Sequence, residues 1–237
     1  MQDLTNKVAY ITGGSKGIGY GIAQVLLEKG MRVVITSRHA DAAAAAAAAL
    51  SSDASRVLGL QSDVTNQAAE EKAVQAAYDY FGQIDLVVAN AGVGHFASIE
   101  ELTAAAWHET INTNLTGVFN TVKASLQALK QSKGYLVTIA SLAGTNFFEK
   151  GAAYNASKFG LVGFTQAVML DLRKYGIRVT TIMPGSVTSH FNQHVPSDAD
   201  AWKIQPEDIG ELIADIMQLH PRALPSKIEI RPTMPAK

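Results

Sequence analysis

The sequence of 237 residues contains no cysteine, which excludes disulfides, thiolate nucleophiles, iron–sulfur clusters and cysteine zinc sites. An excess of one charge is also absent, because 20 Lys and Arg residues balance 21 Asp and Glu residues for a net charge of -1. Nothing electrostatic therefore indicates a nucleic acid or an anionic membrane as a partner. No linker rich in Pro, Gly or Ser divides the chain, so we expect one domain over residues 1–237.

Long apolar runs are also missing, since none reaches the roughly 18 residues that a membrane-spanning helix needs. The first residues lack the basic segment and apolar core of a secretion signal. We therefore expect a cytoplasmic protein with no membrane partner. His190 and His194 are four residues apart but have no third ligand nearby in sequence, and we predict no metal site.

Short β-branched segments alternate with longer helical stretches, which is typical of a parallel sheet covered by helices on both faces. Seven strands are predicted at Val8 to Thr12, Arg32 to Ser37, Val57 to Gln61, Ile84 to Asn90, Gly134 to Ser141, Ile177 to Met183 and Lys227 to Ile230. Helices are predicted near 18–29, 41–50, 66–81, 102–131, 152–174 and 206–219. The second of these contains eight consecutive alanines, and we expect a helix of small residues capped near Asp41.

A glycine-rich turn follows the first predicted strand and opens the first predicted helix. Glycines let the chain turn sharply and let a pyrophosphate approach free N–H groups at a helix N-terminus. The candidate contacts are Gly13, Ser15, Lys16, Gly17, Ile18 and Gly19. A nucleotide triphosphatase is disfavoured, because its loop requires Ser or Thr directly after Gly-Lys, and Gly17 occupies that position.

The end of the second predicted strand bears on the choice between NAD and NADP. A site for NAD usually carries an acidic residue there, whereas this chain has Ser37 and Arg38. A guanidinium can bind a 2'-phosphate with two hydrogen bonds, and Lys16 supplies a second cation. The sequence therefore favours NADP.

Tyr154 and Lys158 are four residues apart at the start of a predicted helix, and Ser141 ends the preceding strand. A tyrosine has an ordinary pKa of about 10, so proton transfer near pH 7 needs on the order of 4 kcal/mol of phenolate stabilisation. A nearby ammonium has the sign of charge that supplies it.

Together these motifs resemble the short-chain dehydrogenase/reductase family over nearly the whole chain. The matching motifs, in the family's order, are Thr12 to Gly19, Asn90-Ala91-Gly92, Asn114, Ser141, Tyr154 with Lys158, and Pro184-Gly185. The resemblance implies a Rossmann fold, hence an α/β protein with a doubly wound, seven-stranded parallel sheet. It also implies a homodimer or homotetramer.

The resemblance further implies roles for individual residues. Tyr154 would be the general acid for a carbonyl oxygen, and Ser141 would hold that oxygen. Lys158 would bind the nicotinamide ribose and lower the tyrosine pKa, while Asn114 would hold a water of a proton relay. Further cofactor contacts would be Asp63, Val64, Asn90, Ala91, Gly92, Pro184, Gly185, Val187 and Ser189, the last replacing a threonine that is frequent in the family.

We therefore expect an NADPH-dependent reductase of a small ketone or aldehyde, with residues 186–205 as a substrate loop. Aromatic residues expected at the pocket wall are Phe96, Phe147 and Phe148, next to His95. A 3-oxoacyl-thioester reductase would carry the same motifs, but the final strand lacks the glycine-rich end of those relatives, which weakens that assignment. The motifs are also compatible with an epimerase or dehydratase that holds its cofactor tightly, and with a dinucleotide-binding sensor without turnover.

Overall fold

Seven parallel strands form one sheet in the computed structural model, which describes residues 2–234. The strands are β1 Val8–Ile11, β2 Arg32–Ser37, β3 Val57–Gln61, β4 Leu86–Ala89, β5 Tyr135–Ile139, β6 Arg178–Pro184 and β7 Lys227–Ile230. The helices are α1 Gly17–Glu28, α2 Ala40–Leu50, α3 Gln67–Phe81, α4 Ala104–Ile111, α5 Gly117–Ser132, α6 Ala152–Leu172 and α7 Pro206–Gln218. The strand order is β3-β2-β1-β4-β5-β6-β7, so the predicted doubly wound α/β fold is confirmed. Met1 and residues 235–237 of the predicted domain lie outside the described residues.

Both faces of the sheet are covered, which explains why its central strands consist almost entirely of apolar residues. Helices α1, α2 and α7 pack on one face, and α3, α5 and α6 pack on the other. Every residue of β1, β4 and β5 is buried. None of the helices described between residues 2 and 234 is long and apolar enough to cross a membrane.

The single helix predicted over 102–131 is wrong, because the structure divides this stretch into three parts. Helix α4 ends at Ile111, a π-helical segment covers Asn112–Thr116, and α5 begins at Gly117. The π-helical segment is mostly polar, Asn-Thr-Asn-Leu-Thr, but it contains no proline, so the sequence carries no strong signal that ends the helix there. Segments of this kind widen a helix by one residue and are frequent at functional sites.

Helix α2 lies unusually close to β3 because both contribute small residues. Ala43, Ala46 and Ala47 are buried, and a Cβ atom on Gly59 would collide with the backbone carbonyl of Ala43. The cap predicted near Asp41 lies two residues earlier, at His39, which makes no side-chain cap bond, and Asp41 lies in the first turn of the helix. The alanine run therefore serves packing rather than chemistry.

We predict that Gly59→Ala destabilises the protein, because the added methyl group must push α2 away from the sheet. The expected loss of unfolding free energy is about 1 to 3 kcal/mol, measured by urea denaturation followed by circular dichroism. Gly163→Ala is the matched control, since a Cβ atom there meets nothing within 4 Å in α6. The control should gain about 0.5 to 1 kcal/mol, and equal effects of both substitutions would contradict close packing at Gly59.

Candidate active site

A cleft of about 940 Å³ lies at the carboxyl ends of the strands. It brings together most of the residues that the sequence predicts for cofactor binding and catalysis. These are Gly13, Ser15, Lys16, Gly17, Ile18, Ser37, Arg38, Asp63, Val64, Asn90, Ala91, Gly92, Ser141, Tyr154, Lys158, Pro184, Gly185, Val187 and Ser189. Gly19 and Asn114 do not line the cleft, and both have packing roles described below.

The turn between β1 and α1 is shaped to hold an anion. Gly13 and Gly17 have φ of 64° and 57°, a conformation that favours glycine. Lys16 is the N-cap residue of α1, and its side chain makes no cap hydrogen bond, so the first N–H groups of the helix remain free for a ligand. Gly19 lies behind the turn, where a Cβ atom would be 2.5 Å from the Gly13 carbonyl oxygen. These features fit the pyrophosphate of a dinucleotide.

A network of hydrogen bonds fixes the turn after β4 against this glycine turn. The Thr12 hydroxyl accepts from the backbone N–H groups of Asn90 and Ala91 at 3.0 and 3.1 Å. The Asn90 side-chain amide donates in return to the carbonyl oxygens of Thr12 and Gly13 at 2.9 and 3.1 Å. The Asn90 side chain therefore holds two walls of the cleft together.

Ser141, Tyr154 and Lys158 meet at the opposite end of the cleft. Ser141 follows β5, and its Oγ accepts from the Ala143 N–H at 3.1 Å, which leaves its own proton free to be donated. Tyr154 and Lys158 lie one turn apart on α6. The Lys158 ammonium donates to the Ile139 carbonyl oxygen at 3.0 Å and lies 5.6 Å from the centre of the Tyr154 ring.

Burial shifts the pKa values of both α6 residues toward their uncharged forms. It raises the pKa of Tyr154 to about 12, partly offset by hydrogen bonding with Ser141. It lowers the pKa of Lys158 from 10.5 to about 8. Tyr154 is therefore protonated at neutral pH, and Lys158 is mostly charged but titrates close to it.

Asn114 lies in the π-helical segment, where both ends of its side-chain amide make hydrogen bonds. Its Oδ1 accepts from the Val93 N–H, and its Nδ2 donates to the Val93 carbonyl oxygen, both at 2.8 Å. Nδ2 also donates to the Ser157 hydroxyl at 3.0 Å. The side chain thus fixes the turn after β4 beside the cleft and uses both of its N–H donors to do so, while Oδ1 has a second lone pair that could accept from a water.

Arg38 faces a carboxylate that the sequence did not reveal. Its Nη1 lies 3.9 Å from Glu109 Oε1 on α4, and Glu109 Oε2 lies 2.8 Å from His95 Nε2. All three residues line the cleft. The guanidinium predicted to bind a 2'-phosphate therefore already has a negatively charged neighbour.

The loop predicted over 186–205 covers one side of the cleft and is held by Asp200. The Asp200 carboxylate lies 2.7 Å from His194 Nε2 and 2.5 Å from Lys203 Nζ, and it accepts from the Ser197 N–H at 3.0 Å. The hydrogen bonds from Lys203 and His194 hold the pKa of Asp200 well below its usual range. His190 and His194 thus do not form a pair of ligands on one helical face.

A profile of the short chain dehydrogenase family matches residues 7–200, which include every lining residue of the cleft except Lys203. The chain belongs to the short-chain dehydrogenase family. It is therefore a member of an oxidoreductase family, as the resemblance of its motifs predicted.

Relatives of this short-chain dehydrogenase match it over nearly its full length. An uncharacterized oxidoreductase from Staphylococcus saprophyticus is 34% identical over 98% of this chain and 100% of the relative. Another uncharacterized oxidoreductase, from Staphylococcus aureus, is 33% identical over 98% of this chain and 100% of the relative.

Solved structures of the family agree with the fold. An alcohol dehydrogenase from Thermococcus sibiricus, complexed with 5-hydroxy-NADP, superposes with a TM-score of 0.90 at 28% identity, covering 96% of this chain and 97% of that one. A short-chain type dehydrogenase/reductase from Mycobacterium marinum gives a TM-score of 0.87 at 27% identity, covering 96% and 95%.

Sequence reasoning missed two residues that shape the site of this short-chain dehydrogenase. Asn155 donates from its side-chain amide to the carbonyl oxygens of Ala143 and Asn146 at 2.7 and 2.8 Å, which fixes the loop after Ser141 to α6. Its position next to Tyr154 was the available signal. No sequence signal indicated Glu109, because its neighbours Arg38 and His95 are distant in sequence.

Proposed function

We propose that this short-chain dehydrogenase reduces a ketone or aldehyde to an alcohol with NADPH, using Tyr154 as the general acid. The observation that carries the proposal is the convergence of Ser141, Tyr154 and Lys158 at one end of a cleft whose other end is an anion-binding glycine turn. The nicotinamide dinucleotide, when bound, supplies the hydride. The glycine turn and the free N–H groups of α1 would hold its pyrophosphate.

The chain's own groups have the protonation states that reduction requires. The Ser141 hydroxyl would donate to the substrate's carbonyl oxygen, and the Tyr154 hydroxyl would transfer its proton to that oxygen as negative charge develops there. The raised pKa of Tyr154 keeps it protonated before the reaction. The Lys158 ammonium, close to the ring, would stabilise the phenolate that remains. This arrangement favours the reducing direction.

Positive charge where the adenosine of the cofactor would bind supports NADPH over NADH as the cofactor. Lys16 and Arg38 both line the cleft, Lys16 in the glycine turn and Arg38 just after β2. A 2'-phosphate would take over the Arg38 guanidinium from Glu109, since a charge-assisted bidentate pair is stronger than a contact at 3.9 Å. The negative charge of Glu109 repels the phosphate. The preference for NADPH therefore depends on whether Lys16 and Arg38 attract the phosphate more strongly than Glu109 repels it.

Exposed apolar side chains on α4, α5 and α6 support a homodimer or homotetramer. Trp107, Phe119, Phe159 and Leu170 are all exposed on these helices. Isolated exposed apolar residues are ordinary, but a group of them on neighbouring helices is typical of an interface. We propose that a second copy of the chain covers them.

The test of the proposal is cofactor consumption with a panel of aldehydes, ketones, keto esters and acyl thioesters. We expect the wild type to oxidise NADPH with at least one carbonyl compound and to prefer it to NADH. Arg38→Ala should lower the ratio of kcat/KM for NADPH over NADH by about 10-fold or more, because it removes the guanidinium pair to the phosphate.

Two further variants sharpen this cofactor test. Glu109→Gln should preserve or increase the preference for NADPH, and Arg222→Ala, an exposed change far from the cleft, should leave it unchanged. Equal use of NADH by the wild type would overturn the assignment of Lys16 and Arg38. Binding of NADPH without turnover of any panel member would favour the dinucleotide sensor.

A further inference from the structure

Three phenylalanine rings surround the ring of Tyr154. Phe96, Phe148 and Phe191 lie 5.4, 6.4 and 5.6 Å from it, measured between ring centres. Phe96 also contacts Phe148 at 5.7 Å and Phe191 at 6.3 Å. We call Phe96, Phe148 and Phe191 the aromatic box. Its members come from three separate loops, so their convergence on one tyrosine is a tertiary feature rather than a local one.

Two glycines make room for these rings. A Cβ atom on Gly94 would be 2.5 Å from the Phe191 ring and 3.0 Å from the Phe96 ring. A Cβ atom on Gly151 would be 2.7 Å from the Phe148 ring. Both loops therefore have a glycine, with no side chain, where the rings pack. This is expected of a pocket wall rather than of aromatic residues that lie on the surface by chance.

The rings are only partly covered by protein. Phe96 is 38% exposed and Phe148 is 45% exposed, although both pack against a tyrosine of the candidate active site. Phe191 lines the cleft itself, whereas Phe96, Phe147 and Phe148, expected at the pocket wall, do not line it, and Phe96 and Phe148 border it through their contacts with Tyr154. An apolar face left open beside reacting hydroxyl groups gains stability when an apolar group of the ligand covers it.

Two of the basic groups that line the cleft are paired with carboxylates, whereas His190 beside Phe191 has no carboxylate partner among residues 2–234. His95 lies against Glu109, and Lys203 against Asp200, at 2.8 and 2.5 Å. Because these cations are neutralised within the protein, they attract an anionic substrate weakly. The hydroxyls of Ser141 and Tyr154 line the cleft with protons to donate, next to the Lys158 ammonium, and both hydroxyls suit a carbonyl oxygen.

We infer that the aromatic box is the substrate's side-chain subsite and that it accepts an aryl group attached to the carbonyl carbon. This inference rests on the proposed carbonyl reduction and adds the class of substrate to it. Edge-to-face contacts between a substrate ring and the three phenylalanines would hold the aryl group while its carbonyl oxygen lies against Ser141 and Tyr154.

The test compares acetophenone with cyclohexyl methyl ketone, which has a saturated ring of similar size. The quantity measured is the ratio of kcat/KM for the aryl over the saturated ketone, in the wild type and in Phe96→Leu and Phe191→Leu. The intrinsic reactivities of the two ketones cancel when the ratios are compared. We expect each substitution to lower the ratio by about 2- to 10-fold, with most of the change in KM.

Phe147→Leu is the matched control. Phe147 is adjacent to Phe148 in sequence but is 82% exposed, and its ring stacks on Phe159 at 5.0 Å. For Phe147→Leu, the ratio of kcat/KM for the aryl over the saturated ketone should equal that of the wild type. An unchanged ratio in both box variants, or an equal decrease in the control, would overturn the aryl subsite. If the wild type reduces other carbonyl compounds but not acetophenone, the aryl subsite is refuted and the proposed carbonyl reduction stands. If it reduces no carbonyl compound, the proposed function itself is refuted.

Discussion

Replacing Tyr154 by phenylalanine is expected to lower kcat by about 10²- to 10⁴-fold, the usual contribution of a positioned general acid. The substitution removes one hydroxyl and keeps the ring, so the contacts with Phe96 and Phe191 at 5.4 and 5.6 Å are preserved. The pocket should therefore keep its shape while the proton donor is lost. Turnover is measured as NADPH oxidation with the best ketone of the panel, and NADPH binding is measured separately by calorimetry.

Binding of NADPH to the Tyr154→Phe variant should remain within a few-fold of the wild type. Tyr175→Phe is the control, because Tyr175 is 40% exposed and follows α6 at its far end. That variant should keep full activity. If Tyr154→Phe keeps more than a tenth of the wild-type kcat, another group delivers the proton and the assignment of the general acid is wrong.

Replacing Lys158 by methionine is expected to stabilise the protein at pH 7 while turnover falls. Burial lowers the pKa of Lys158 from 10.5 to about 8, and a shift of this size corresponds to a cost of up to about 3 kcal/mol for holding the charge inside. Methionine has a similar shape and no charge. Loss of the hydrogen bond to the Ile139 carbonyl reduces the gain, so we expect an increase of about 1 to 2 kcal/mol in the free energy of unfolding.

The sign of the pH dependence identifies the cause. Below about pH 8 the lysine is charged in both the folded and the unfolded protein, so the wild type carries the full cost. Between about pH 8 and 10.5 the folded protein releases its proton before the unfolded protein does, and the wild type gains stability as the pH rises. The advantage of Lys158→Met should therefore be largest below pH 8, vanish between about pH 9 and 10, and reverse by about pH 10.5, where only the lost hydrogen bond remains.

Urea denaturation at pH 7, 9 and 10 measures this trend, since the raised pKa of Tyr154, about 12, keeps its hydroxyl protonated in the folded protein over this range. Lys123→Met on α5 is the control, since Lys123 is exposed, and its effect should be small and independent of pH. An advantage of Lys158→Met that is the same at pH 7 and pH 10 would show that it does not arise from a buried charge.

The order and type of the strands could be predicted because both faces of the sheet are buried. A strand such as β4 must then be apolar throughout, and such short runs stand out between helices. The break between α4 and α5 could not be predicted, because it depends on Asn114 binding the backbone of Val93. That interaction joins residues 21 positions apart, and nothing in the local pattern encodes it.

The candidate site could be predicted where motifs follow strand ends, since parallel strands end at one edge of the sheet. The orientation of side chains on irregular loops could not be predicted from the sequence. Phe147 and Phe148 were both expected at the pocket wall, yet only Phe148 packs near Tyr154. Adjacent residues on a loop face different directions, and the loop's hydrogen bonds, such as those from Asn155, help decide which one packs near Tyr154.

The aromatic box stands apart from the parts of the molecule that determine its stability. Phe96, Phe148 and Phe191 lie outside the sheet and the seven helices, and Gly94 and Gly151 lie on the same loops. Changes at these positions alter the surroundings of the Tyr154 ring without altering the buried strands. The scaffold can therefore diversify its substrate range through single substitutions on loops, and these positions are the natural starting points for engineering it.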